Sequence, residues 1–184
     1  MEEVVMKAFA GDIHLKRKIE ELRDRFKIEV AVETGTHYGY TAEELGKMFK
    51  VVWTAEVNAE FYKAAKERLK AHNNINCDLY DSAEWLKYFI FDNSTLFYLD
   101  AHWEKDWPIL REIKAIGKVC TFPVIVIHDF KVNGLGYDTY NGQELDFDYI
   151  LPALKECYPD GFSYEYNKQA EGARRGVIFI YPKQ

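Results

Sequence analysis

Five short strand-like segments in this chain, most of them nearly unbroken apolar runs, each stop at a polar residue, and most are followed by a stretch of helical period. They are 28–32 leading to Glu33 and Thr34, 51–53 leading to Glu56, 75–79 leading to Asp81 and Ser82, 95–99 leading to Asp100, and 123–127 leading to His128 and Asp129. Runs that are nearly unbroken, rather than alternating, belong to strands buried on both faces, and strands separated by helices build a parallel sheet. The expected fold is therefore α/β: a doubly wound, mostly parallel sheet. Leu15, Ile19, Leu22 and Phe26 share one helical face with Asp12 placed as a cap, so 12–26 is expected to be a helix. Further helices are expected at 40–49, after the capping Asn58, at 82–91, and after Pro108, whose ring suits a first turn. The tail runs 162–166 and 176–180 flank a polar turn and predict a C-terminal antiparallel hairpin. Residues 131–146, KVNGLGYDTYNGQELD, hold three glycines and no clear period. That is long for a connection in such a fold and marks a functional loop.

The chain's 184 residues fit a single domain, 1–184, which can bury roughly 70% of its unfolded surface without staples. No apolar run reaches the roughly 20 residues of a membrane-spanning helix, and the N-terminal charge order is wrong for a secretory signal, so a cytoplasmic protein without a membrane partner is expected. A net charge of −6 argues against a surface that neutralises phosphates, so nucleic acid is not the expected partner. Cys77, Cys120 and Cys157 are odd in number and scattered, which fits core residues better than a disulfide framework or a zinc site. Trp103, Trp107, Tyr137 and Tyr140 fall in loop segments, where they line a pocket or pack on one another.

Ligands of an open parallel sheet bind beyond the carboxyl ends of its strands. In VAVETGTHYGYT, residues 30–41, a strand runs into Glu33, Thr34, Gly35, Thr36, Gly39 and Thr41. Glycines there allow positive φ and a close backbone approach to a ligand at the next helix N-terminus, although an ordinary strand-to-helix turn uses them in the same way. Glu56 follows Gly35 by about 20 residues, the spacing at which a carboxylate accepts ribose hydroxyls; the plainer alternative is a helix-capping acid. Asp81 and Ser82 sit where a nucleobase would lie, or cap a helix. Asp100, His102, His128 and Asp129 end neighbouring strands about 4.8 Å apart and converge on one ion or one acceptor oxygen. Two carboxylates with an imidazole suit magnesium or another divalent cation, with His102 alternatively a general base. The other reading has His128 bonded to a carbonyl and Asp129 capping the loop. His14, His37 and His72 are taken as surface or packing residues, and Arg174 and Arg175 as a solvated turn ahead of an anion site.

On these motifs the chain resembles the class I S-adenosylmethionine-dependent methyltransferases over about 28–180, most strongly in ETGTHYGYT, TAEVN, YDSAEWL, LFYLDAHW and VIVIHDF. Within them it looks like the macrocin and mycinamicin sugar O-methyltransferases and, more distantly, the catechol type. The resemblance implies a Rossmann-like methyltransferase fold of seven strands in the order 3-2-1-4-5-7-6. It implies S-adenosylmethionine held by Glu33, Gly35 and Thr36, within the stretch that also carries Thr34, Gly39 and Thr41, with Glu56 on the ribose, Asp81 and Ser82 near adenine, and Asp100 at the methyl end. In metal-dependent relatives the fourth strand ends in an acid-x-acid pair and the fifth in two adjacent acids. Here Asp100 and Asp129 match ligands, His102 stands at the base position, and His128 replaces a ligand carboxylate, so the implied metal set is Asp100, His128 and Asp129. The implied partner is a small-molecule hydroxyl acceptor such as a sugar or polyol, with 131–146 or a second subunit of a homodimer closing its pocket. Rival readings are a nicotinamide oxidoreductase, a nucleoside-binding protein without turnover, and a metal-dependent hydrolase built on the Asp/His cluster.

Overall fold

Asp12 accepts hydrogen bonds from the amides of His14 and Leu15 and so starts the first helix, α1 (Ile13–Phe26), which buries Leu15, Ile19 and Leu22 as their spacing predicts. The computed structural model describes residues 7–102 and 107–183, and Trp103 lies outside them. After α1 the order is β1 (Val30–Thr34), α2 (Tyr40–Met48), β2 (Val51–Glu56), α3 (Ala59–Leu69), β3 (Ile75–Leu79), α4 (Ser82–Trp85), β4 (Thr95–Leu99), α5 (Ile109–Val119), β5 (Pro123–Ile127), the two-residue strands β6 (Thr139–Tyr140) and β7 (Gln143–Glu144), α6 (Phe147–Cys157), β8 (Phe162–Tyr166) and β9 (Ile178–Pro182).

The seven-stranded sheet runs β3-β2-β1-β4-β5-β9-β8. β1 to β5 pair in parallel, and β9 is antiparallel to both neighbours. Every residue of β4 and β5 is buried, which is why those runs do not alternate. On one face α1 and α2 pack through Leu15, Ile19, Leu22 and Leu45 onto Ala31, Val52, Leu96 and Val124. On the other, α5 and α6 pack through Ile113, Ile116, Ile150 and Leu154 onto Val32, Phe97, Ile125 and Ile178. The three cysteines are free and buried, as expected of core residues. Among the described residues no helix is long and apolar enough to cross a membrane.

Three elements differ from the expectation. The helix expected at 82–91 ends as an α-helix at Trp85 and tightens into a 3-10 turn through Tyr88, because Phe89 and Phe91 turn inward and stack on each other. A helix not anticipated, α6, occupies Phe147–Cys157, capped by Asp146 and carrying Pro152 inside it. The 131–146 connection is not structureless: Asn141 and Gly142 both take positive φ in the two-residue turn of a small hairpin.

Candidate functional site

The strand order reverses between β1 and β4, so the loops after these strands diverge and leave a crevice at their carboxyl ends. Gly35 lets the two strand ends close beneath it. Its φ is +82°, and a Cβ there would lie 2.8 Å from the Asp100 carbonyl oxygen and 2.9 Å from Ala101 Cα. Above this contact opens a cleft of about 460 Å³ lined by Gly35, His37, Glu56, Asp81, Asp100 and His102, with Val57, Phe61 and Tyr80 among its apolar residues.

Glu56 ends β2 and holds the cleft's main carboxylate. Its Oε2 accepts from the His37 amide at 2.7 Å and its Oε1 from the Asn58 amide at 2.8 Å. Both oxygens thus hold loop amides, while the cap of α3 is the Asn58 side chain. Each oxygen keeps a second lone pair, so two further donors can be accepted without displacing either amide. Val57 and Tyr80 stand 48% and 44% exposed at the rim, an apolar edge that a planar base would cover. Asp81 accepts from the Glu84 amide at 3.0 Å, capping α4, and the Ser82 hydroxyl turns inward to donate to Glu112. This donor set, a ribose-type carboxylate beside an apolar rim, fits a nucleoside cofactor.

Several residues expected at the ligand stand one layer back. Glu33 is fully buried and accepts from Thr54 Oγ1 at 2.6 Å, and Thr54 lies 2.5 Å from Thr36 Oγ1, so a chain of side-chain bonds stiffens the β1 end. Thr34 is buried, and Gly39 packs toward Ala65 and Leu69 as the residue before α2. Thr41 is corrected: its hydroxyl accepts from the Phe9 amide at 3.2 Å and anchors the N-terminal segment, and Thr41 is not among the residues lining the cleft. His37, expected to be a surface or packing residue, does line it. Its φ is +50°, its ring packs on Phe61 at 4.3 Å, and burial holds its pKa down against the raising charges of Glu56 and Asp100.

Burial pushes the Glu33 carboxyl up to about 8; the Thr54 bond pulls it down, and the charges of Asp100 and Glu56 push it further up. Glu112, which sequence reasoning did not single out, lies buried on α5 below Ser82 and is pushed up to about 7 by the same burial. Both groups have an ordinary value of 4.5, so between that pH and the raised value the folded chain keeps a proton that the unfolded chain has lost. The contribution of these two groups to stability is then full below about 4.5 and is lost as pH rises toward 8 for Glu33 and 7 for Glu112. Each pKa unit is worth about 1.4 kcal/mol, so a decline on the order of a few kcal/mol is expected. The Glu33→Gln variant should show a visibly flatter Tm-versus-pH curve over this range; an unchanged slope would remove Glu33 from the account.

At the other end of the cleft, Asp100, His128 and Asp129 come together, with ligand-type atoms all within 4.8 Å of one another. His128 is 7% exposed, and its Nδ1 lies 3.3 Å from Asp100 Oδ1 and 3.1 Å from Asp129 Oδ1. Neither contact has hydrogen-bond geometry, so the attraction is one of charge. Burial alone would lower its pKa, but the two carboxylates outweigh burial and hold it up at about 10. Asp129, at a φ of +58°, also accepts from Arg175 Nε, and Arg175 Nη2 reaches Asp138. Burial would raise the Asp129 carboxyl, yet His128 and Arg175 hold it well below the usual carboxylate range. Arg175 is thus part of the site rather than a solvated turn. Because its guanidinium already takes the Asp129 oxygen, this donor set does not fit a divalent cation as it stands.

His102 is exposed and lines both the main cleft and a space of about 10 Å³ enclosed by Trp107, His128, Asp129, Asp138 and Leu145. Trp107 stacks on Tyr149 of α6 at 5.5 Å and lies 5.8 Å from Tyr140 of β6, and of these three aromatics it is Trp107 that lines that space.

No family model matches the chain. No curated protein matches it in sequence. Solved structures do share its fold. An O-methyltransferase from Bacillus cereus in complex with S-adenosylhomocysteine superimposes with a TM-score of 0.69 at 14% identity, covering 93% of this chain and 81% of that one. The N-terminal domain of EvdMO1 in the presence of S-adenosylhomocysteine and D-fucose gives 0.62 at 13% identity, covering 94% and 84%. An rRNA methylase from Streptococcus thermophilus gives 0.60 at 14% identity, covering 90% and 94%. At these identities the likeness is one of fold: the Rossmann-like fold of these methyltransferases.

Proposed function

We propose that this chain is an S-adenosylmethionine-dependent methyltransferase acting on a hydroxyl of a small molecule, with a sugar or other polyol as the acceptor. The observation that carries this reading is a single cleft with Glu56 and an apolar rim at one end and Asp100 with His102 at the other. When bound, S-adenosylmethionine supplies an electrophilic methyl carbon. Glu56 accepts the ribose hydroxyls, and Val57 and Tyr80 cover the base. The Gly35 turn and the end of β4 form the floor on which the methyl end is oriented. His102 faces the acceptor side and takes the hydroxyl proton, and holding the reacting atoms in near-attack geometry contributes roughly 7–11 kcal/mol. The neighbours bound to S-adenosylhomocysteine support the cofactor, and the D-fucose present with EvdMO1 supports a sugar-like acceptor.

The test is methyl transfer from labelled S-adenosylmethionine to a panel of monosaccharides, polyols, catechols, amines and RNA. Label in a hydroxyl acceptor, with one S-adenosylhomocysteine formed per methyl, is the expected result. Label in RNA or an amine alone would refute the hydroxyl reading.

A further inference from the structure

Beside the small space beyond His102 the chain holds a cation of its own, Arg175, bound to two of the acids that line that space. Arg175 stands just before β9, and its backbone is fixed on both sides: the Gly136 amide donates to the Arg174 carbonyl at 3.0 Å, and the Gly176 amide donates to the Gly136 carbonyl at 2.7 Å. The approach is close, since a Cβ on Gly176 would lie 2.1 Å from the Phe130 carbonyl oxygen and one on Gly136 would lie 3.2 Å from Arg175 Nη1. From this anchored position Nε binds Asp129 and Nη2 binds Asp138. The two acids are tied to each other as well, because the Asp138 amide donates to the Asp129 carbonyl at 3.0 Å. Asp138 belongs to the 131–146 strap, so one guanidinium joins the end of β5 to the loop that closes the space beyond His102.

A hard divalent ion needs several oxygen ligands free of other positive groups. Asp100 and Asp129 are the carboxylates of the candidate set, and Asp129 Oδ1, the oxygen nearest His128, is the one that Arg175 holds. An ion placed between them would meet the guanidinium at close range in a partly buried setting, where like charges are poorly screened. A planar, permanently charged guanidinium with fixed donors can hold two carboxylates in one geometry without any exogenous ion.

We infer that Arg175 stands in the place of a divalent cation: it neutralises Asp129, fastens Asp138 of the strap, and leaves the acceptor end working without a bound metal. Calling this the acceptor end rests on the methyl-transfer reading; the exclusion of the cation does not. Arg175 is a positioning residue, acting through Asp129 and the strap.

Manganese(II) is the probe, read by the loss of its free-ion signal in electron paramagnetic resonance, with no cofactor or substrate present. Wild-type protein is expected to leave the signal unchanged at millimolar metal. Arg175→Met, checked for folding by circular dichroism, is expected to take up one equivalent at least about tenfold more tightly than wild type, and adding Asp129→Asn should abolish that gain. The inference is overturned if wild type binds one equivalent that Asp129→Asn removes, or if folded Arg175→Met gains none. Should Arg175→Met fail to fold, the wild-type and Asp129→Asn titrations still decide the first of these: one equivalent bound by wild type and removed by Asp129→Asn overturns the inference, and no binding by wild type upholds it. Cofactor binding is measured separately, so failure here leaves the methyltransferase reading standing.

Discussion

Glu56→Ala is expected to weaken S-adenosylhomocysteine binding by at least about 100-fold, the largest single effect in the cofactor half of the site. Hydrogen bonds to a charged acceptor contribute about 1.5–3 kcal/mol each, and two ribose hydroxyls on one carboxylate place the loss at roughly 10²–10⁴-fold. The substitution also orphans the amides of His37 and Asn58, which Glu56 holds at 2.7 and 2.8 Å, so the melting temperature should fall as well. Glu56→Gln separates the two effects. It keeps the shape and one acceptor oxygen but turns an NH₂ toward one of the two amides. Calorimetry on both variants, alongside their melting curves, checks this. Wild-type affinity in a folded Glu56→Ala would mean that the carboxylate holds the two amides and nothing more.

His102→Ala is expected to lower turnover by roughly 10²–10⁴-fold, the usual contribution of a positioned general base, while leaving cofactor affinity within about threefold because no ground-state contact to the nucleoside is removed. The imidazole is exposed between the main cleft and the small space beyond it, so it supports little of the fold and its removal should not disturb the melting temperature. A large loss of affinity together with unchanged turnover at saturation would place His102 at the cofactor and take the base role from it.

The strand ends are legible in the sequence because a parallel strand buried on both faces leaves few places for a charge. The first polar residue after VVWTA or TLFYL marks the sheet's carboxyl edge, and Glu56 and Asp100 stand there. What lies behind that edge is less legible. Glu33, Thr36 and Thr54 form a buried chain whose members look, in one dimension, like direct ligand contacts. Thr41 is the second residue of α2, and the Phe9 amide that donates to its hydroxyl is distant in sequence. Arg175 meets Asp129 across 46 positions, a pairing that depends on β9 inserting next to β5 and that no local pattern announces. α6 is hidden by Pro152, which reads as a breaker, although Asp146 as a cap and Ile150, Ala153, Leu154 and Cys157 at helical spacing carry the signal. The hairpin inside 131–146 has its own mark in Asn141-Gly142, a dipeptide that favours a tight turn with positive φ at both residues.

The most direct test of the account is calorimetric titration of the wild-type protein with S-adenosylhomocysteine and S-adenosylmethionine, and separately with NAD. Saturable one-to-one binding of both sulfur nucleosides, weakened at least about 100-fold by Glu56→Ala, and no binding of NAD is the expected result. Binding of NAD in their place, or binding of none of the three, would contradict it.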